Sequence, residues 1–263
     1  MYRIYAVRYG HLDRSSDENF LGGDDHATPM PLDYFVWVVR GDGRTLVVDT
    51  GFDAAAAAAR GRTLTRPVAE GLAAVGVDAR ELLDVVITHM HYDHAGNIAL
   101  FPRARFHLQD SEMAFCTGRR MLERQQSAPF DAENVVTMVR RVFDERVVFH
   151  AGDAELYPGI TLHHVPGHTL GLQAVRVDTA RGPVVLASDA FHFWANLERE
   201  VPFPIVADVP AYLNSLRALR RLAPSIDHLI PGHDPLVLAR FPAEAGTVDV
   251  VRLDQPPRER ARP

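Results

Sequence analysis

The run Thr88-His89-Met90-His91-Tyr92-Asp93-His94-Ala95-Gly96-Asn97 constrains this chain more than any other. It follows residues 84–88 (DVVIT), a short and almost wholly apolar stretch that reads as a buried strand. In extended backbone, residues i and i+2 point to the same side, so His89 and His91 can grip one cation. Asp93 and His94 fall at the following turn, displaced enough to reach a second. Three later segments share one form, a strand running into a Gly- or Ala-flanked turn that carries a single ligand-type residue. They are HHVPGHTLG with His168, VVLASDA with Asp189 and HLIPGHDP with His233. Each alone is an ordinary turn, and together with the first cluster they point to a metal centre that only the fold can assemble. Imidazole and carboxylate suit zinc, iron(II), cobalt or manganese, with open positions left for water and substrate.

Composition narrows the chemistry further. The 263 residues include 28 cationic side chains, every one of them arginine, so a Schiff-base lysine and the lysine-dependent phosphate-binding loop are both excluded. A net charge of −6 argues against a general nucleic-acid binder, which would carry a basic face. Thirteen histidines are a richness that asks for a role, because imidazole is the usual metal ligand and proton shuttle near neutral pH. The single cysteine, Cys116, excludes an internal disulfide framework and any cysteine-rich metal site. No apolar run approaches the ~20 residues that span a bilayer, and the first residues place an arginine every few positions. A cytoplasmic enzyme without a membrane or nucleic-acid partner, monomeric or homodimeric, is the expectation.

Along the chain, residues 2–9, 34–40 and 45–48 read as strands, the last two joined by a Gly41-Asp42-Gly43 turn. Residues 11–33, rich in acids, glycines and prolines, read as a long loop that serves as a lid. Residues 66–83 and 95–101 read as helical, 104–108 as a strand, and 111–145 as a helical insertion broken at Pro129. Strands return at 147–150, 160–165, 173–177 and 184–187, followed by a helix over 209–223 and a core strand over 226–230. The interleaving predicts one α/β domain over residues 1–252, with two sheets between helical layers and a disordered tail over 253–263.

At this point the residues resemble the metallo-β-lactamase superfamily, whose signature is HxHxDH followed by isolated His, Asp and His at strand ends. Asp49-Thr50-Gly51 matches its early Asp motif, and the likeness covers roughly residues 34 to 240. Within it, THMHYDHAGN, Pro-Gly-His-Thr, Ser-Asp-Ala and Pro-Gly-His-Asp look most like the N-acyl-homoserine lactonase group. The resemblance implies a four-layer αββα sandwich and two zinc ions per chain, with His89, His91 and His168 on the first and Asp93, His94 and His233 on the second. Asp189 would bridge them and Asp49 would orient ligands. The implied activity is opening of a lactone or similar ester ring by a metal-bridging hydroxide, with Asp93 passing the proton to the leaving oxygen.

One departure stands out. The best-known lactonases carry a tyrosine three residues after the bridging Asp, and this chain has His192, whose imidazole can donate the same hydrogen bond to a substrate carbonyl. Met30, Phe115, Phe191 and Trp194 are the candidate apolar substrate contacts. The remaining histidines read as satisfied strand or surface residues, save that His11 and His26 lie in the lid and could face substrate. Two other reactions use the same fold. A glyoxalase II-type thioesterase shares the ligand set but usually adds a C-terminal helical domain, and an iron-dependent sulfur dioxygenase binds one metal only. Lactamases of the family replace the bridging Asp, and its nucleases want a basic exosite.

Overall fold

The computed structural model describes residues 1–258. Long β-branched and aromatic runs form the first sheet: β1 (Arg3–Leu12), β2 (Leu32–Gly41), β3 (Arg44–Val48), β4 (Thr63–Leu64), β5 (Asp84–Val86), β6 (Arg105–Gln109) and β7 (Val147–His150). A second sheet follows, built from β8 (Ala154–Tyr157), β9 (Ile160–His164), β10 (Gln173–Thr179), β11 (Gly182–Ser188) and β12 (Leu229–Pro231), and β13 (Val250–Arg252) returns to the first. The first sheet runs β13-β1-β2-β3-β5-β6-β7, with β4 on β1; the second runs β12-β11-β10-β9-β8. β1 to β3 are antiparallel, whereas β3, β5, β6 and β7 are parallel neighbours, as the intervening helices require.

The apolar alternation of β2 shows why two sheets stack. Phe35, Trp37 and Val39 face the core between the sheets, joined by Ile160, Leu162, Val175 and Val185. Tyr34, Val36 and Val38 point the other way, into a second core under the helices of the first sheet. Both faces are buried, which is why this strand reads as an unbroken apolar run. The helices are α1 (Ala54–Arg60), α2 (Val68–Ala74), α3 (Tyr92–Ala95), α4 (Asp110–Cys116), α5 (Arg124–Ser127), α6 (Ala132–Phe143), α7 (Trp194–Arg199), α8 (Val209–Leu222) and α9 (Leu236–Arg240). Val68 and Leu72 of α2 join the outer core of the first sheet, and Tyr212, Leu216 and Leu219 of α8 cover the second. The four-layer αββα sandwich is therefore realised, and no described helix is long and apolar enough to cross a membrane.

Several boundaries differ from the sequence expectation. The helix read over 66–83 shrinks to α2, because Gly76 takes a positive φ of 72° and ends it. The helix expected at 95–101 is instead α3 followed by a single 3₁₀ turn, Ile98–Leu100. The insertion is present as α4 to α6. The tail expected from 253 starts later: Leu253 is buried and its N–H donates to the Ile4 carbonyl, while Arg258 N–H reaches the Arg240 carbonyl. Residues 259–263 of that expected tail lie outside the described residues. The lid loop is anchored rather than loose, with Phe20 buried and Leu21 N–H donating to the Pro202 carbonyl.

Candidate metal centre

The ligand-type residues sit where strands end. β5 runs straight into His89 and His91, and Asp93 and His94 lie in the first turn of α3. His168 lies on the loop between β9 and β10, and β11 and β12 are parallel neighbours whose ends deliver Asp189 and His233 side by side. Two of these strand ends turn through left-handed backbone at non-glycine residues, Asp49 (φ 63°) and Ser188 (φ 48°). Such geometry costs on the order of 1–3 kcal/mol per residue and persists where the surroundings over-determine it. Gly232 is required for a different reason: a Cβ there would collide with Asp189 Oδ1 and come within 3.0 Å of the Ser188 carbonyl.

Asp189 is the hub. Its Oδ2 lies 3.2 Å from His168 Nε2 and 3.8 Å from His89 Nε2, while Oδ1 lies 3.0 Å from His233 Nε2 and 3.3 Å from His94 Nε2. Asp93 Oδ2 is 3.8 Å from both His94 Nε2 and His233 Nε2. The ligand atoms of His89, His91, His168 and Asp189 all fall within 4.8 Å of one another, as do those of Asp93, His94 and His233. Every one of these residues is buried.

The opposite ring nitrogens are held, which fixes the tautomer. His94 Nδ1 donates to Asp49 Oδ2 (2.7 Å), His168 Nδ1 to the Ile205 carbonyl (2.7 Å) and His233 Nδ1 to the Asp33 carbonyl (3.0 Å). His89 Nδ1 donates to Thr88 Oγ1 (3.1 Å), whose own hydroxyl donates to Asp49 (2.8 Å). In each case Nε2 is left as a lone pair aimed inward. The Nε2 atoms of His89 and His94 and the Asp189 Oδ1 are buried without a hydrogen-bond partner, and His91 Nδ1 faces His168 Nε2 at 3.0 Å. Converging acceptors with no donor between them are unfavourable unless a cation fills the space, so this donor set fits divalent metal.

Electrostatics agree. Burial drives His89, His91 and His192 well below the ordinary imidazole range and keeps them neutral, the form that ligates. Burial is also the largest single influence on His94 and His233, but there the surrounding carboxylates together outweigh it, Asp189 with Asp49 and Asp93 at His94 and Asp189 with Asp93 at His233, and both are raised. Burial disfavours the Asp189 anion too, yet the surrounding His192, His233 and His94 hold that carboxyl well below the usual range.

His192 lies beside the cluster. Its Nε2 is 3.2 Å from Asp189 Oδ2, its Nδ1 is buried and unpartnered, and its ring stacks on Phe203 at 3.8 Å. Of the four candidate substrate contacts, none lines the cavity over the cluster. Phe191 and Trp194 point into the inter-sheet core, where the Trp194 indole donates to the Leu229 carbonyl. Phe115 belongs to the outer core against Phe130, and Met30 is half-buried on that core. Sequence proximity to a ligand fixes neither the face nor the depth of an apolar side chain. The cavity is walled instead by Tyr34, Tyr92, Phe203 and Ile205, with Arg14 and Arg62.

Sequence reasoning also missed Glu112. This fully buried carboxylate of α4 accepts from Met90 N–H (2.8 Å), Thr169 Oγ1 (2.6 Å) and Gly171 N–H (3.0 Å), tying the His89–His91 segment to the His168 loop. Its only sequence signal is an acid on the inner side of a short helix. His11, by contrast, turns its Nδ1 to Asp33 (2.7 Å), and His26 lines no cavity among those described.

A buried cluster of this kind at the strand ends of a four-layer sandwich defines a divalent-metal-binding protein of the αββα class. The family model described as "Metallo-beta-lactamase superfamily" matches residues 30–233. The chain belongs to that superfamily. A relative from Bacillus sp., an N-acyl homoserine lactonase, is 30% identical over 56% of this chain but only 54% of its own length, so the match spans about half of that protein. An N-acyl homoserine lactonase of Bacillus cereus is 27% identical over 84% of this chain and 88% of its own. Among solved structures, an N-acyl homoserine lactone hydrolase with the product N-hexanoyl-L-homoserine at its catalytic metal centre superposes with a TM-score of 0.73. It is 22% identical, covering 90% of this chain and 95% of that one, and the likeness is one of fold.

Proposed function

We propose that the protein is a dinuclear-metal hydrolase that opens a lactone ring. The observation that carries this reading is the two-sided environment of Asp189: one carboxylate oxygen faces His89 and His168, the other faces His94 and His233. His89, His91 and His168 would hold one cation, Asp93, His94 and His233 the other, and Asp189 would bridge. Zinc, or iron, cobalt or manganese, bound there would supply hydroxide near neutral pH and a Lewis-acidic hold on the substrate carbonyl.

The remaining work falls to the chain. Asp93 lines the cavity with its carboxyl 11% exposed, more than any other ligand side chain in the cluster. It is placed to take a proton from the attacking water and return it to the ring oxygen as that oxygen leaves. His192 Nε2 lies 3.2 Å from Asp189 Oδ2, so in this arrangement it faces the proposed bridging carboxylate and would reach the substrate carbonyl only through a turned or protonated ring. Beside His91 and His168 runs a groove of about 440 Å³ walled by Leu21, Pro204, Ile205, Val206 and Val209, which suits an apolar substituent.

The test is metal content followed by pH-indicator assays on the same sample with N-hexanoyl-L-homoserine lactone, a thioester, a phosphodiester and a β-lactam. About two metals per chain with proton release on lactone opening is expected; an inert lactone beside fast thioester turnover overturns the reading. In D93N, kcat should fall by about 10²–10⁴-fold with both metals retained. A near-normal rate would remove Asp93 from proton transfer.

A further inference from the structure

The cavity over the cluster carries two positive charges that the lactone reading leaves unused. Arg14, from the lid loop, sits with its guanidinium 5.0 Å over the ring of Phe203, which in turn stacks on His192. Arg62, just after α1, donates from Nε to the Tyr92 hydroxyl (3.0 Å), which lies 3.4 Å from the Tyr34 hydroxyl on the opposite wall. Both arginines line the same cavity as Asp93, Asp189 and His233.

Their remaining partners are neutral. Arg14 gives one N–H to the Glu18 carbonyl (2.5 Å) and Arg62 gives one to the Arg60 carbonyl (2.8 Å). Among the described residues, neither has a carboxylate within 4.0 Å. Elsewhere Arg8, Arg240 and Arg252 are each paired with one or two carboxylates, while Arg146 and Arg181 are held by carbonyls alone and line no part of this cavity. Arg14 Nε is moreover buried with no partner at all. Glu18 acts on Arg14 and Asp93 on Arg62 only at longer range, and a guanidinium so placed binds carboxylate bidentately when one is offered. The free space of the cavity, about 50 Å³, holds a compact polar group and not a long chain.

We propose that Arg14 and Arg62 form an anion subsite, and that the substrate is a lactone bearing a carboxylate on the far side of the ring from the apolar groove. This rests on the lactone-hydrolase reading and narrows it. Arg14 comes from the anchored lid loop, where its carbonyl accepts from Met30 N–H (2.8 Å), so the cation is already positioned over the site. Arg62 is fixed from the other wall by Tyr92, the residue preceding Asp93, so the captured carboxylate is held relative to the proton-carrying side chain.

The experiment uses the zinc-loaded full chain and a matched pair of substrates, a γ-lactone carrying a ring carboxylate and its methyl ester. The carboxylate should show a kcat/KM at least tenfold above the ester. In R14Q/R62Q that ratio should fall to within threefold of unity. Equal kcat/KM for the two lactones in the parent enzyme overturns the anion subsite while leaving lactone hydrolysis standing. Calorimetric titration with glutarate and monomethyl glutarate gives a readout that needs no turnover. Glutarate should bind at least tenfold more tightly, and the advantage should vanish in R14Q/R62Q. If neither lactone opens but the glutarate preference is present and lost in the variant, the subsite stands and the lactone reading fails. If glutarate has no advantage, the subsite itself is wrong.

Discussion

Two buried histidine–carboxylate clusters lie in this molecule, and they are finished in opposite ways. Around Asp84, at the start of β5 in the first sheet, every partner is supplied by the protein. His107 Nε2 donates to Oδ1 (3.1 Å), Arg105 adds a second bond there (3.0 Å), Tyr157 donates to Oδ2 (2.6 Å), and His107 Nδ1 meets His150 Nε2 (3.1 Å). Around Asp189 the rings are held from behind, and the atoms that face one another are left without donors. Both groups centre on an aspartate among histidines, though Asp84 keeps some contact with solvent where Asp189 is enclosed. What separates a structural cluster from a metal centre is where the unsatisfied lone pairs point. A closed network rigidifies a sheet, and an open one waits for a cation.

The sharpest way to break this contrast is D189A. It removes the carboxylate shared by both halves, so activity should drop by about 10³-fold or more, equivalent to roughly 4 kcal/mol. Metal content per chain should fall with it; an active D189A protein would mean that Asp189 is merely another Asp84. Chelation is next. With free metal at a hundred times its dissociation constant, binding contributes about 2.7 kcal/mol to stability, so EDTA should lower Tm in the parent and in D84N but not in D189A. An equal response in all three would place the stabilising metal elsewhere.

E112Q tests the support behind the open cluster. One amide oxygen cannot accept from Met90, Thr169 and Gly171 together, and metal affinity should weaken by about 10–100-fold. Unchanged affinity would reduce Glu112 to packing.

The smallest effect belongs to the closed cluster. Partial burial disfavours the Asp84 anion, yet the His107 and Tyr157 hydrogen bonds and the Arg105 charge hold its carboxyl down at about 2. A depressed carboxyl contributes stability above its unfolded pKa of ~3.9 and loses it as pH falls from there to about 2. Solvent screening at this site leaves about 1 kcal/mol of that. D84N should therefore lose about 1 kcal/mol at pH 7, show a flatter stability profile between about pH 4 and 2, and keep its metal. Loss of metal in D84N would join the two clusters.

The open cluster was far more legible in the sequence than the closed one. His89, His91, Asp93 and His94 crowd into six positions, a density that turns do not need, and the strand-to-turn form of His168, Asp189 and His233 repeats a visible pattern. Asp84, His107, His150 and Tyr157 are spread over four strands with no shared pattern, so only the pairing of β5, β6 and β7 and the approach of β8 bring them together. Glu112 is hidden for the same reason, since its three donors come from two distant loops. Phe191 and Trp194 misled because an apolar residue near a ligand looks the same whether it faces the cleft or the core. The small elements β4, β13 and α9 were invisible, being too short for any periodicity to register. The αββα order itself was readable because β2 is apolar on both faces and the parallel strands recur between helices.

The placement of β12 and β13 has a consequence for how the protein is made. During synthesis His89, His91, Asp93 and His94 emerge well before Asp189 and His233, which follow about 100 and 140 residues after His94, and β1 must wait for β13, which lies over 200 residues later. At ~5–20 residues per second, the early histidines spend on the order of ten seconds without Asp189. A cation met by the HxHxDH segment alone would lack the carboxylate that faces both halves of the cluster, so the proposed centre is complete only once β11 and β12 have paired.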